Sequence, residues 1–357
     1  RIKTGPEPLN NFLSGGSPGP NPFGSTPGAG NAFDGGNYIV VISNDTPTDP
    51  LATVDTNNRV FIRSTGTFRT AQKQVLVLVE RPPAPPAPRG AAEGLGQYTE
   101  FDNENPTSGG MDGRDWNAPA DLSACTDVPN CGTLTANPAT YGMFTNTNDY
   151  YIQLSNGGHI VGTGCLPPGC AGTTPATASK QIDTTVPLTR WDSFINAAIP
   201  QATRTLNLNN SFSGTYTWGT AAAPEITVIN MTQSSTFGWN GTVNGAGVLI
   251  IEHPGGTMSG SCPTSCNAGP LGTIAGSGVL NWQGLVIIRS PQSVEFEVGR
   301  IGTSRLFGQI VNRSAGYAEI EMENNRSFVK YSSAALALVR QAVGGSLTVR
   351  GWQEVAM

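Results

Sequence analysis

The segment GLVIIR at residues 284–289 has a close counterpart in GVLIIE at 247–252 and a looser one in GQIVNR at 308–313. Each segment opens on glycine, continues with a mainly apolar run and closes five positions later on a charged residue. Short apolar runs of this kind predict buried β-strands. Because one strand cannot bury its own apolar face, the repeat is typical of a β-solenoid, in which successive repeats stack about 4.8 Å apart.

The residues that close the three segments, Glu252, Arg289 and Arg313, share one register position. Stacking is expected to place them one above another. One interpretation is a solvated ladder of ion pairs, each contributing about 0–1 kcal/mol. The other is a stripe that grips phosphate, because the planar guanidinium group binds phosphate oxygens in a bidentate manner. Four further cations complete the predicted DNA-binding stripe: Arg300, Arg305, Arg326 and Lys330.

Carboxylates in the same part of the chain oppose the second interpretation. They alternate with apolar residues, so they are expected on the outer faces of their strands. The sequence leaves open whether the two signs of charge share a face. These carboxylates are Glu295, Glu297, Glu319, Glu321 and Glu323.

The composition bounds both the fold class and the partners. The chain has 357 residues, enough for one large or two ordinary domains. With 13% charged residues, 45 glycines and 27 prolines, it is predicted to be mainly β, with short strands joined by turns. The net charge is −5, and residues 82–279 hold five Lys/Arg against thirteen Asp/Glu. A polyanion would therefore have to be bound locally and not by the overall field.

The six cysteines fall in three close pairs, none with the spacing of a zinc site. We expect three local disulfides and hence a location outside the cytoplasm. With only two histidines in the chain, no metal or other cofactor is expected. The predicted disulfides are Cys125–Cys131, Cys165–Cys170 and Cys262–Cys266.

The two ends of the chain differ from its middle. The run NYIVVIS at 37–43 predicts a strand, and residues 58–81 predict two strands folded back at Ser64–Thr67. The proline run PPAPPAP predicts a stiff spacer. A short amphipathic helix is predicted at 188–202, another helix at 332–343, and a last strand at 346–355 that returns to the first sheet.

The predicted fold is therefore mainly β, with a β-solenoid inserted into a small α+β domain built on an antiparallel sheet. Its divisions are a Gly/Pro-rich segment at 1–37, the first part of the small domain at 38–81, a Pro-rich spacer at 82–89, the disulfide-bearing β-solenoid at 90–331 and the last part of the small domain at 332–357.

Four segments in this order, with the solenoid-type repeats between the second and the third, resemble the large minor pilins of type IV pili of the PilX kind. They are YIVVIS (38–43), RVFIRSTGTFRTAQKQVLVLVERP (59–82), FVKYSSAALALVRQAV (328–343) and GWQEV (351–355). Among these pilins the chain is most similar to the competence-associated ones. The resemblance implies a pilin-like α+β head and a pilus-tip subunit that receives extracellular DNA for uptake.

The resemblance also implies other pilins as partners and a location on a cell-surface pilus, with anchoring in the inner membrane before assembly. The hydrophobic helix that anchors pilins is not seen, and there is no signal peptide at Arg1, so we expect a trimmed, soluble ectodomain. Binding is expected to be to double-stranded DNA without sequence preference, because a receptor for uptake must accept any sequence.

Two alternatives belong to other classes. A surface adhesin that binds glycan is favoured by the acidic middle, which is rich in Thr and Asn. A carbohydrate-active enzyme is the least supported, because no fixed carboxylate pair is visible and no nucleophile motif accompanies His159 or His253. Trp239 and Trp282 are assigned to core packing in preference to stacking on bases. The acidic candidates Asp102, Glu104, Asp112 and Asp115 are assigned to a solvated loop.

Overall fold

The computed structural model describes a mainly β chain, as predicted, that divides into two units. The smaller unit contains the described residues before position 84 and after position 343, and the larger contains those at 84–343. Strands and helices are numbered in chain order. The described residues are 31–33, 36–44, 59–80, 84–103, 110–125, 130–154, 159–166, 178–233, 236–256, 272–297, 303–322, 327–344 and 348–355.

The smaller unit is a five-stranded antiparallel sheet in the order β1-β2-β3-β4-β26. The last strand pairs with β4, which confirms the predicted return of the chain to its first sheet. The strands are β1 (Asn31–Phe33), β2 (Gly36–Asn44), β3 (Arg59–Phe68), β4 (Ala71–Glu80) and β26 (Thr348–Val355).

The predicted position of the β3–β4 turn is wrong. Strand β3 continues through Gly66 to Phe68, and the chain reverses at Arg69, whose φ is +54°. A two-residue hairpin turn needs a positive φ, and here an arginine supplies it while the glycine lies in the strand.

The larger unit contains a twelve-stranded and a seven-stranded sheet, called here the large and the small parallel sheet because all their strand pairs are parallel. The large sheet comprises β5 (Gly90–Leu95), β7 (Gly110–Asp112), β10 (Tyr141–Thr145), β12 (His159–Val161), β13 (Lys180–Ile182), β14 (Arg204–Leu208), β16 (Thr215–Trp218), β17 (Glu225–Met231), β19 (Thr242–Glu252), β21 (Val279–Ser290), β23 (Thr303–Ser314) and β25 (Phe328–Tyr331). The small sheet comprises β6 (Tyr98–Asn103), β11 (Tyr150–Leu154), β15 (Ser211–Phe212), β18 (Phe237–Trp239), β20 (Gly272–Ala275), β22 (Val294–Glu297) and β24 (Tyr317–Met322). A separate pair joins β8 (Trp116–Asn117) to β9 (Thr133–Leu134).

From β17 to β24 the chain alternates between the two parallel sheets, one strand in each. The predicted register is confirmed, because Gly247 pairs with Gly284 and Gly284 with Gly308. The three glycines lie within their strands, at φ values of +115°, +133° and +133°. Only glycine adopts such values without strain, so each glycine bends its strand at the same height.

Apolar side chains fill two layers of the larger unit. The first lies between the two parallel sheets and contains the fully buried Trp239 and Trp282, as predicted. The second lies on the other face of the large sheet, beneath two helices. Helix α1 (Thr189–Ala198), continued by a 3-10 turn at Ile199–Gln201, buries Trp191, Phe194, Ile195 and Ala198 there.

Helix α2 (Ser333–Gly344) forms close to its predicted position, and its Val339 and Val343 lie in the same second layer. The predicted division had assigned this helix to the small domain. Its apolar side chains instead pack on the large parallel sheet, since that sheet offers the apolar face that a short helix must cover.

Candidate functional site

A row of polar side chains crosses the outer face of the large parallel sheet near the ends of its strands. Asn207, Asn230, Glu252, Arg289 and Arg313 are register partners on β14, β17, β19, β21 and β23. The alignment of the last three is the one predicted from the repeats. The row continues the face that carries the second apolar layer, because side chains two residues apart share a face.

Each arginine of the row binds a carboxylate and contacts a side chain of helix α1. Arg289 forms an ion pair with Glu252, and its Nη1 donates to Asn196 Oδ1 at 2.6 Å. Arg313 binds both oxygens of Asp192, with Nε and Nη2 each 3.1 Å from one of them. The Arg289 side chain is 28% exposed and that of Arg313 is 16% exposed. These contacts fasten the helix to the sheet and place one carboxylate against each guanidinium group.

The row borders a cavity of about 570 Å³. His253, predicted to be a surface residue, is buried at its wall, where Nδ1 accepts a hydrogen bond from the Gly255 amide at 2.8 Å. The His253 amide donates to the Arg289 carbonyl oxygen at 2.9 Å, which places the ring beside the row. The cavity is lined by Asp192, Asn230, Met231, Glu252, His253, Pro254, Arg289, Ser290, Pro291, Arg313 and Ala315.

Two further cations of the predicted stripe, Lys330 and Arg305, do not join this row. Lys330 is only 3% exposed, and its Nζ donates to the Cys131 carbonyl oxygen at 2.7 Å and lies 3.7 Å from the centre of the Trp116 ring. Burial puts this ammonium group out of reach of a phosphate, so its assignment to DNA binding is wrong. Arg305 Nε donates to the Cys125 carbonyl oxygen at 2.8 Å. Arg300 and Arg326 lie outside the described residues.

Lys330 and Arg305 thus hold the two ends of a disulfide loop. The predicted Cys125–Cys131 bridge is present, with Cα atoms 5.3 Å apart. Cys165 is also disulfide-bonded, but its predicted partner, Cys170, lies outside the described residues. The predicted Cys262–Cys266 pair lies outside them as well.

Carboxylates form two rows of three on the small parallel sheet, on the face opposite the apolar core. Glu295, Glu319 and Glu100 are register partners in one row. Glu297, Glu321 and Asp102 are partners in the other. Glu323 lies outside the described residues. These two carboxylate rows therefore lie on a different sheet from Arg289 and Arg313, a placement that the sequence had left open, although Glu252 and Asp192 also put negative charge beside the two arginines.

Most of these carboxylates are buried, although they were expected on outer faces. Glu319 is 8% exposed, and burial together with the negative charge of Glu295 and Glu100 raises its pKa to about 9. Burial also raises the pKa of Glu100, which accepts a hydrogen bond from the Tyr317 hydroxyl. Neighbours about 4.8 Å apart in a dry environment favour protonated carboxyl groups because ionisation would place like charges together.

Three of the acidic residues assigned to a solvated loop, Asp102, Asp112 and Asp115, are also buried. Asp112 binds the Arg114 guanidinium and the Trp116 indole, the latter at 3.0 Å. Asp115 accepts a hydrogen bond from the Ser333 amide at 2.7 Å and so caps helix α2. Burial acts to raise the pKa of Asp115, but hydrogen bonds from Ser333, Asn137 and Thr135 lower it below its usual value. Asp102 is 6% exposed, and Glu104 lies outside the described residues.

Sequence reasoning missed Asp192 and Asn196 as members of the row. They lie four positions apart, so they share the helix face that meets the arginines. Their spacing was visible, but nothing in the sequence indicated which strand ends the helix would face.

Among the described residues, no helix has the length and apolar character needed to cross a membrane. No family model matches the chain, and the search of curated proteins finds no match. A crystal structure of the competence-associated pilin ComZ from Thermus thermophilus is similar over 90% of this chain and 84% of that one, at 9% identity. The TM-score is 0.24, a value that does not establish a shared fold.

Proposed function

We propose that the chain is the ectodomain of a minor pilin at the tip of a type IV pilus, where it binds extracellular double-stranded DNA for uptake in natural transformation. The order of the chain supports the pilin part of the proposal. One antiparallel sheet uses strands from both ends of the chain, and residues 84–343 are inserted between β4 and β26. This arrangement supports the interrupted pilin head that the sequence resemblance implies.

The larger unit is proposed to be a β-solenoid. The support is the alternation of successive strands between two parallel sheets, with Gly247, Gly284 and Gly308 in register. Stacked repeats require this pairing, since each repeat buries its apolar residues only against its neighbours.

The observation that carries DNA binding is the pairing of Arg289 with Arg313 on adjacent strands beside a surface cavity. Two guanidinium groups spaced by one strand can each bind phosphate oxygens, and phosphate contacts carry no sequence information. Because each already faces a carboxylate, a phosphate must compete for it. We therefore expect weak binding, with about two phosphates neutralised and a roughly tenfold loss of affinity between 50 and 200 mM salt.

The test compares Arg289→Gln with Arg190→Gln. Arg190 is exposed on helix α1, so the control removes one positive charge without touching the row. Binding of a fluorescent duplex is measured over a salt series. Arg289→Gln should reduce the slope of log affinity against log salt by about one, and the control should leave it unchanged. Equal slopes for the two variants, or no salt-sensitive duplex binding by the wild type, would reject the proposal.

A glycan-binding adhesin is the second candidate, and the charge balance of the cavity favours it. Two guanidinium groups and two carboxylates line the cavity, so their formal charges sum to zero. Carbohydrate hydroxyls both donate and accept hydrogen bonds and suit such a mixed lining. Binding of glycans that is lost in Asn230→Ala, with no binding of DNA at low salt, would support the adhesin instead.

A further inference from the structure

We propose that the antiparallel sheet of the smaller unit binds single-stranded DNA, by stacking bases on Trp352 and Phe68 and pairing phosphates with Arg69 and Lys73. This second surface is separate from the row at Arg289 and Arg313 and extends the proposed function to unpaired strands. The argument rests on the side chains that one face of this sheet exposes.

The aromatic side chains are unusually exposed. Trp352 is 71% exposed and Phe68 is 51% exposed, whereas the other five tryptophans of the chain are at most 7% exposed. Large aromatic side chains dominate cores because they bury much apolar area. Two that project from one sheet into solvent are typical of a surface on which planar groups stack.

Register places the aromatic and basic side chains on the same face. Trp352 pairs with Val77 on β4, and Lys73, four residues before Val77, projects to the same side. Lys73 pairs with Gly66 on β3, two residues from Phe68, which again shares that side. Measured along the strands, Trp352 and Phe68 are about six residue positions apart, which is roughly 20 Å. A strand of several nucleotides spans that distance.

The face is open at Gly66, beside Phe68 and Lys73. A Cβ added at Gly66 would meet nothing within 4 Å, so the backbone there is bare beside Phe68 and Lys73. At the tip of the hairpin, the Arg69 guanidinium carbon lies 5.4 Å from the centre of the Phe68 ring. A base stacked on that ring would bring its phosphate within reach of both cations.

Charge favours a polyanion over other planar partners. Among the described residues of the smaller unit, no carboxylate pairs with Arg69. Lys73 pairs with Glu354 at 2.9 Å, but both side chains are more than half exposed, so the pair is screened by solvent. Over the full sequence the smaller unit holds eight Lys/Arg against seven Asp/Glu, whereas residues 84–343 hold twelve against eighteen. The smaller unit therefore repels DNA less than the larger one does.

The test uses the full chain and a fluorescent twenty-nucleotide oligo(dT). Trp352→Ala should weaken binding roughly five- to 150-fold, which is the effect of removing one stacked base, and Trp352→Phe should restore much of it. Tyr151→Ala is the matched control, because Tyr151 is a 45% exposed aromatic residue on β11 of the larger unit. Lys73→Gln should reduce the salt slope by about 0.7.

Tryptophan fluorescence provides a second readout. Since Trp352 is the exposed tryptophan, oligo(dT) should quench the wild-type emission but not that of Trp352→Phe. Arg289→Gln should leave oligo(dT) binding unchanged, and Trp352→Ala should leave duplex binding unchanged, so the two proposals fail separately. Absence of oligo(dT) binding at 50 mM salt, or equal binding by Trp352→Ala and the wild type, would overturn the inference and leave this face to a protein partner.

Discussion

Replacement of Gly308 by alanine tests whether the stack of glycines determines the architecture of the larger unit. The φ of Gly308 is +133°, and a Cβ built there would lie 1.9 Å from the Gly284 carbonyl oxygen. No flexible side-chain end is involved, because the obstacle is the backbone of the neighbouring strand. Relief would require Gly308 and Gly284 to move apart, which stretches the pairing between β21 and β23.

Two contributions set the size of the effect. A non-glycine residue at such a φ costs about 1–3 kcal/mol, and forcing an extra methyl group into a packed site costs about another 1–3 kcal/mol. The expected loss of about 2–6 kcal/mol is a large part of the 5–15 kcal/mol that stabilises a typical domain. At about 2–4 °C per kcal/mol, the melting temperature of Gly308→Ala should fall by roughly 5–20 °C.

The assay is thermal unfolding followed by circular dichroism, with urea unfolding as a check on the free energy. Gly66→Ala is the control, because a Cβ there meets nothing within 4 Å and its φ is not positive. The control should melt within a few degrees of the wild type. If Gly308→Ala also does so, the close approach of the strands at Gly308 does not limit the stability of the larger unit.

Three further outcomes follow from buried groups of the larger unit. Because folding raises the pKa of Glu319 to about 9, the stability that its bound proton provides is full below the unfolded pKa of 4.5 and is lost as pH rises through about 9. In Glu319→Gln the urea midpoint should therefore change less with pH between 5 and 9, and an unchanged dependence on pH would contradict the raised pKa. Lys330→Ala leaves the Cys131 carbonyl oxygen without its donor and opens space against Trp116, so guanidinium unfolding should show a loss of about 2–5 kcal/mol, and a loss below 1 kcal/mol would count against its structural role. Removing the Cys125–Cys131 bridge by a double replacement with serine should cost about 2 kcal/mol, the value for so short a loop, and no change in the unfolding midpoint would show that the bridge adds nothing.

Much of the fold could be predicted from the sequence because the patterns that indicate it are local and repeated. The spacing from Gly247 through Gly284 to Gly308 determined the register, since stacked strands place equal positions side by side. Helix α1 was predicted from the periodicity of its apolar residues, and the same residues are buried. The β3–β4 turn was misplaced because Ser64–Thr67 lies within strand β3, whereas Arg69, a residue type with no preference for turns, adopts the positive φ.

The candidate site was harder to predict because burial depends on which element covers a residue. The sequence suggested that Lys330 and Arg305 are surface cations, but the carbonyl oxygens of the disulfide loop accept hydrogen bonds from both side chains. Asp115 is in a segment rich in turns, and its role appears only when Ser333, more than two hundred positions away, is brought to it. Contacts across such separations leave no periodic signal in the sequence.

The separation of charge constrains how DNA can approach the larger unit. The outer face of the small parallel sheet carries six carboxyl groups in two rows, whereas the row with Arg289 and Arg313 lies on the large parallel sheet. A phosphate backbone is repelled by any ionised member of the first face, and the repulsion grows as pH rises and Glu319, whose pKa is raised to about 9, loses its proton. Affinity for duplex DNA should therefore fall between pH 6 and 9, although the charge of the arginines does not change over that range. A duplex affinity that stays constant across this range at fixed salt would mean that the carboxyl rows and the arginine row act independently.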